Sequence, residues 1–500
     1  MATELQGDGA DGSTRAPARL RRVTARIAAT LLAFGGTWMA LLLSQSASAQ
    51  SGPEADTCPS RADYRNLRYE ENWRYMADPA CMENFSDRLK YIPLDESGSR
   101  YVSLGGEARL RYENVRHPAF GADSEDHNGY FLKRYLLHAD AHASQWMRVF
   151  VQLQSANESG RRDGPRAEDE DDLDFNQLFV DLQVYRDGQD HFTLRAGRHE
   201  FEFGMSRLLS ARDGMNTRQS FDGFRGFGRL GRWNFNTSLA RPVNTRPGAF
   251  DNYASSHNGY AGASAWTDNP LLPGSKITFL SNYRKKHDAE FDLGTGEDRR
   301  HTTGVRFWSE AGGAWDFNWE GGVQYGSFEG RKVRAWYFAS DTGYTFTDAD
   351  SRPRLGLRLD ATSGDRNAQD GRLNTFRAPF ASTAYSGLAG QLGPSNVIDL
   401  APSLSWSLRE DVRVTAGVIG FWRTSQEDGV YTTTGGLRRT GQTSDARHVG
   451  NQGTLQVVYM PARYWTVLAL LSYFDAGRFL DETPPAQNVT YFTAWITYRF

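Results

Sequence analysis

The chain has 500 residues, with 57 Lys and Arg against 60 Asp and Glu and a formal net charge of -3. A balance this close to neutral says little by itself, since what matters is where the charges point; no nucleic-acid partner is expected. With 50 Gly, 22 Tyr, 29 Phe and 13 Trp, only 18 Pro, and a negative mean hydropathy, the composition suits many short-turned strands with aromatic girdles.

Residues 15–26 carry Arg15, Arg19, Arg21, Arg22 and Arg26 without an acid. A largely apolar run from Ile27 to Leu43 follows, then Ala47-Ser48-Ala49. This order predicts a secretory signal peptide, residues 1–49, cut after Ala49. The rival is a retained anchor, but a spanning helix needs about 20 apolar residues, and Thr30, Gly35, Gly36 and Thr37 interrupt this run. No comparable run follows residue 50, which leaves a periplasmic protein or a β-barrel.

Residues 50–98 are polar and aromatic without period-two alternation and predict a partly helical periplasmic extension at or in a barrel mouth. Cys58 and Cys81 are the two cysteines of the chain. In the oxidising periplasm they predict a disulfide, worth about 3 kcal/mol in the chain-entropy model. No CxxC or His-rich spacing accompanies them, so neither a metal nor a redox site is expected.

From Tyr101 the pattern changes. Leu104, Gly106, Ala108, Leu110 and Tyr112 alternate with Gly105, Glu107, Arg109, Arg111 and Glu113. The segments 315–323 and 354–361 repeat the alternation. A strand turns successive side chains to opposite faces, so each segment has one apolar and one charged face. About 18 such segments, each near the 9–11 residues a membrane strand needs, predict an all-β fold: a closed antiparallel transmembrane barrel over 99–500. Short links (186–190, Pro461-Ala462) are assigned to the periplasm. Long ones (156–173, 285–299, 362–395, 424–446) are assigned to the outside.

No GxSxG, HExxH, P-loop or GxGxxG is present, so no catalytic residue and no cofactor is expected. His138, Asp140 and His142 share one strand face and could be drawn as a proton relay, although polar residues are the default on a lumen face. The acidic run 168–174 lacks the offsets of a calcium loop and reads as a solvated segment near lipopolysaccharide. Arg109, Arg111, Arg134, Arg195, Arg284, Arg306, Arg354, Arg358, Arg413, Arg423 and Arg499 fall on the polar phase. On the lipid phase each would cost about 2–4 kcal/mol at the midplane. Glu107, Asp140, Asp181, Asp316, Glu320, Asp360 and Asp399 share that interior. Two readings stay open: an arginine excess that favours anions, or an ion-paired lumen with little selectivity.

The last strand, YFTAWITYRF (491–500), resembles the terminal strand of bacterial outer-membrane barrels, which the barrel-assembly machinery recognises through an end such as Phe500. Residues 194–228, LRAGRHEFEFGMSRLLSARDGMNTRQSFDGFRGFG, resemble the alginate export family of outer-membrane proteins. The matching positions are Arg195, Gly197, Arg198, His199, Glu200, Gly204, Arg212, Asn216, Arg218, Phe221, Asp222, Gly223 and Arg225. The resemblance implies a monomeric 18-stranded barrel in outer-membrane lipid and lipopolysaccharide, with an arginine-rich constriction. The expected function is a passive channel for anionic or polyhydroxylated solutes, with alginate-like exopolysaccharide export as one case. A general or small-molecule-specific porin is the alternative, and a barrel enzyme a further one. The pore-lining candidates are Arg109, Arg111, Arg134, Arg195, Arg198, Arg225, Arg306, Arg358 and Arg423. Arg198 falls out of phase with Arg195, so either a bulge turns it inward or it sits at the strand end.

Overall fold

The computed structural model describes residues 58, 64–309, 313–384 and 387–500; the expected signal peptide lies outside them. The main sheet has 21 strands, of which three are two residues long, and the remaining 18 form a closed antiparallel barrel. They are β1 (Tyr101–Arg116), β2 (Tyr130–His142), β3 (Met147–Ser159), β4 (Asp171–Asp187), β5 (Asp190–His199), β6 (Phe221–Leu230), β7 (Trp233–Asn244), β8 (Gly259–Asp268) and β9 (Ser275–Phe291). The second half holds β10 (Gly294–Ser309), β11 (Trp315–Phe328), β12 (Arg331–Thr345), β13 (Arg354–Thr362), β14 (Val397–Arg409), β15 (Val412–Arg423), β16 (His448–Ala462), β17 (Trp465–Ala476) and β18 (Val489–Arg499).

Each strand pairs with its sequence neighbours, and β18 returns to β1 with Glu107 opposite Arg499 and Tyr112 opposite Ala494. The Gly106 amide extends this seam by donating to the Phe500 carbonyl at 2.9 Å. Closure leaves no unpaired edge, which is how a sheet satisfies its backbone in a medium without water.

Alternation sets the two faces. On β18, Phe492 and Ile496 are exposed, while Tyr491, Thr493 and Thr497 are buried. Arg499 turns in and donates to Glu107 at 2.8 Å. Around the barrel the outer phase exposes Leu137, Phe224, Phe279, Leu357, Val418 and Leu471, an apolar belt that a soluble domain would cover.

At one end the turns are tight. Gly188 and Gly231 open two-residue hairpin turns with φ of 58° and 56°, a region that glycine enters without strain. Long connections crowd the other end, where Phe120, Phe421, Val430, Phe479 and Leu480 pack into one apolar cluster.

The expectation of a long loop at 285–299 is corrected. β9 and β10 run through it as one hairpin, pairing Lys285 with Arg299 and Phe291 with Gly294. A strand that projects past the apolar belt no longer needs an apolar face, so alternation vanishes while the ladder continues. Charge pairs such as Lys285–Glu297 at 3.0 Å take the place of that face. The connection expected at 156–173 is likewise trimmed at both ends, because β3 runs to Ser159 and β4 starts at Asp171.

Before the barrel, short 3-10 turns run from Arg68 to Leu89. Cys58 and Cys81 are bridged, with Cα atoms 5.4 Å apart. Asp87 of this segment pairs with Arg463 in the β16–β17 turn, which places the segment at the short-turn end.

Candidate functional site: the lumen and its inner loops

The chain from Glu200 to Ser220 turns into the lumen instead of outward. Gly197, near the end of β5, has φ of 127°, and a Cβ there would lie 2.3 Å from the Leu178 carbonyl. The bend against β4 is therefore open to glycine alone. Glu200 then accepts from Arg218 Nε at 2.6 Å and Nη2 at 2.8 Å, a bidentate pair that ties the two ends of the loop together. Asn216 Nδ2 donates to the carbonyls of Lys133, Asn157 and Asp169 at 3.1, 3.1 and 2.8 Å.

The wall clamps this loop with arginines. Arg109 donates to the Asp213 and Met215 carbonyls at 2.9 and 2.7 Å, and Arg111 to the Gly214 carbonyl at 2.6 Å. Arg134 Nη2 reaches Glu107 Oε1 and Asp213 Oδ1, both at 2.6 Å. Burial opposes ionisation of Asp213, but Arg134 and Arg218 outweigh it and hold the carboxyl well below the usual range. A second loop, of which residues 363–384 and 387–396 are described, runs along the inside and meets the first through its backbone. The Phe380 amide donates to the Leu208 carbonyl at 2.8 Å, Ser210 to Phe380 at 2.9 Å and Ser382 to Ser206 at 2.9 Å.

The nine pore-lining candidates do not share one environment. Arg111, Arg134, Arg195, Arg198 and Arg358 are ion-paired, Arg195 with Asp181 at 2.7 Å and Arg358 with Asp399 at 3.1 Å. Arg109, Arg225 and Arg306 bond neutral groups; Arg225 Nε reaches Asn236 Oδ1 at 2.7 Å, its Nη1 reaches the Tyr69 hydroxyl at 3.1 Å, and Arg306 Nε reaches Asn318 Oδ1 at 3.0 Å. Arg423 is buried and donates to the carbonyls of Ala446, Gln426 and Ser444, fastening the connection between β15 and β16. Arg198 keeps the phase opposite to Arg195 in an unbroken register. It sits at the end of β5, paired with Asp222 at 2.7 Å and Asp174 at 3.3 Å. Of His138, Asp140 and His142, the last two meet, with His142 Nε2 3.4 Å from Asp140 Oδ2. Asp140 is held bidentately by Arg148 at 2.6 and 2.7 Å, and His138 stacks on Phe150.

A second set of cations was only partly visible in the sequence. Arg284 on β9 and Arg300 on β10 stand directly opposite one another, a like-charge pairing that is unfavourable by itself. Arg377, from the second loop, and Arg212, from the first, act electrostatically on Arg284 together with Arg300; Asp298 is the counter-charge. Asp298 is engaged by Arg300 Nε at 2.8 Å. Buried Arg284 Nε, Arg300 Nη2, Arg377 Nε and Arg212 Nε have no acceptor among the described residues. Arg300 and Arg377 are 1% and 3% exposed. Arg212 also holds a left-handed φ of 56°, uncommon outside glycine and a mark of functional strain.

A closed barrel with an apolar outer belt and charged inner loops defines the class, a bacterial outer-membrane β-barrel of the channel type. Residues 100–493 match the family model for alginate export, and the chain belongs to that family. No curated protein sequence matches it significantly. Among solved structures it is similar to Pseudomonas aeruginosa OccK3 (OpdO), at 10% identity and TM-score 0.53, over 80% of this chain and 95% of that one. It is also similar to P. aeruginosa OpdK with vanillate (11%, TM-score 0.52, 80% and 98% covered). A third is P. aeruginosa OccK2 (OpdF) in complex with glucuronate (11%, TM-score 0.52, 82% and 98% covered). At these identities the likeness is one of fold.

Proposed function

We propose that this protein is a passive outer-membrane channel for anionic solutes, of which acidic polysaccharide chains are one class and small carboxylates another. The observation that supports this reading is the group Arg212, Arg284, Arg300 and Arg377. Four buried guanidinium nitrogens without acceptors among the described residues cost free energy unless water or an anion completes them, and both inner loops contribute one of these residues. Arg225, bonded only to neutral groups, extends the positive field toward the short-turn end. The glucuronate and vanillate of the two similar structures are carboxylates, which favours the small-molecule case as a second reading.

The test is reversal potential in planar bilayers under a salt gradient, with soluble polyuronate or glucuronate added as blocker. Anion preference and block are expected. Both should weaken in Arg225→Gln/Arg284→Gln, most visibly at low salt, where screening is least. Cation preference in the unaltered protein would overturn the reading. Block by the polymer but not by the monosaccharide would favour the polysaccharide class.

A further inference from the structure

The segment 64–93 does more than precede the barrel. Arg68 is buried and donates to the carbonyls of Gly106 and Phe500 at 3.0 Å each, so it grips the β1–β18 seam from inside. Tyr69 is 5% exposed. Its ring lies 4.0 Å from the Arg195 guanidinium and edge-on to Phe150 and Phe179. Its hydroxyl donates to the Glu200 carbonyl at 2.8 Å, and Arg148 donates to its carbonyl at 2.6 Å. Asn66 completes the link to the inner loop, accepting from Arg218 at 3.0 and 3.1 Å and donating to Glu202 at 2.7 Å.

A cavity of about 380 Å³ opens beside Tyr69, lined by Arg148, Arg195, Arg225 and Phe227. A separate, smaller cavity of about 40 Å³ lies between the first inner loop and strands β6–β9, with Arg225 in its lining as well.

The seat is also built to be left. Most of its contacts are hydrogen bonds that water can replace at small net cost. Lys90 of the same segment is 0% exposed, and its Nζ has no acceptor. It lies over the Trp73 ring at 4.6 Å and near the ring of Phe500. A permanently packed wall would hold an apolar residue there, because a buried amine without an acceptor penalises the docked state. The Cys58–Cys81 bridge keeps the segment one unit, and its short connection to β1 keeps it at high local concentration when it leaves.

We propose that residues 64–93 form a reversible plug that shuts the channel from the short-turn, periplasmic side, and that undocking of this disulfide-stapled unit is the opening step. The proposal rests on the channel reading above, and the experiment separates the two. Asn66→Cys/Glu202→Cys would be oxidised after folding to lock the plug, and Arg68→Ala/Tyr69→Phe would loosen it. Single-channel recordings should show the locked form silent and reopened by dithiothreitol, with unaltered protein in dithiothreitol as control. The loosened form should show open probability raised at least about tenfold, the lower bound for losing two or three net hydrogen bonds. Equal conductance in locked and loosened proteins overturns the plug alone. Silence in every variant, with the barrel folded, overturns the channel reading itself.

Discussion

At the scale of single residues, charge pairing separates arginines that build from arginines that attract. Arg134 is buried between Glu107 and Asp213. Arg134→Met should cost about 3 kcal/mol in urea unfolding of the reconstituted barrel, because buried Glu107 and half-buried Asp213 lose a shared partner. Arg134→Met/Glu107→Gln should recover part of that loss. Lys90 carries a pH prediction. Burial, reinforced by the Arg68 charge and opposed by Glu71 and Asp87, lowers its pKa from 10.5 to about 7; the His138 ring faces it from the barrel wall across Gly105. Between these values the undocked segment binds the extra proton, so docking strengthens as pH rises from about 7 toward 10.5 and is weakest, and flat, below about 7. The slope reaches about 1.4 kcal/mol per pH unit. Protease sensitivity of the segment should fall across that window, and Lys90→Met should abolish the dependence while making the segment more resistant.

At the scale of elements, the outer and inner faces of a strand answer to different solvents. Val418 and Leu471 stand exposed on the belt. Val418→Arg or Leu471→Arg should cost about 2–4 kcal/mol where the site lies near the midplane, read by unfolding in lipid vesicles. The β9–β10 hairpin shows where this logic stops being readable. Its tip carries Lys285, Lys286, His287 and Asp288 in succession, so the period of two disappears although pairing continues from Lys285 with Arg299. Arg300 was missed for that reason. Arg284 was assigned correctly to the inner face, but nothing local placed Arg300 across from it.

At the scale of the whole molecule, the motif around 194–228 builds the inner loop more than it lines a pore. Arg195 pairs with Asp181, Glu200 with Arg218 and Arg198 with Asp222, and Asn216 gathers three carbonyls. The two loops then meet by backbone hydrogen bonds between residues about 170 positions apart in sequence, Ser210 with Phe380 among them. The four cations of the group, Arg212, Arg284, Arg300 and Arg377, come from four separate stretches of chain. The field in the lumen is thus a property of the assembled barrel.

Alternation on the strands, terminal aromatic pairing and the spacing of the links were enough for the sequence to determine a closed barrel, its inner and outer phases, and the Cys58–Cys81 bridge. These follow from local rules: a strand has a period of two, lipid excludes charge, and two cysteines in an oxidising compartment find each other. The tertiary structure alone decided which arginines are neutralised, that residues 200–220 and 363–384 fold inward, and that Tyr69 seats against Arg195 and Arg225. Those outcomes depend on which distant segments meet across the lumen. Hydrogen bonds and ion pairs over such separations leave no periodic trace in the chain.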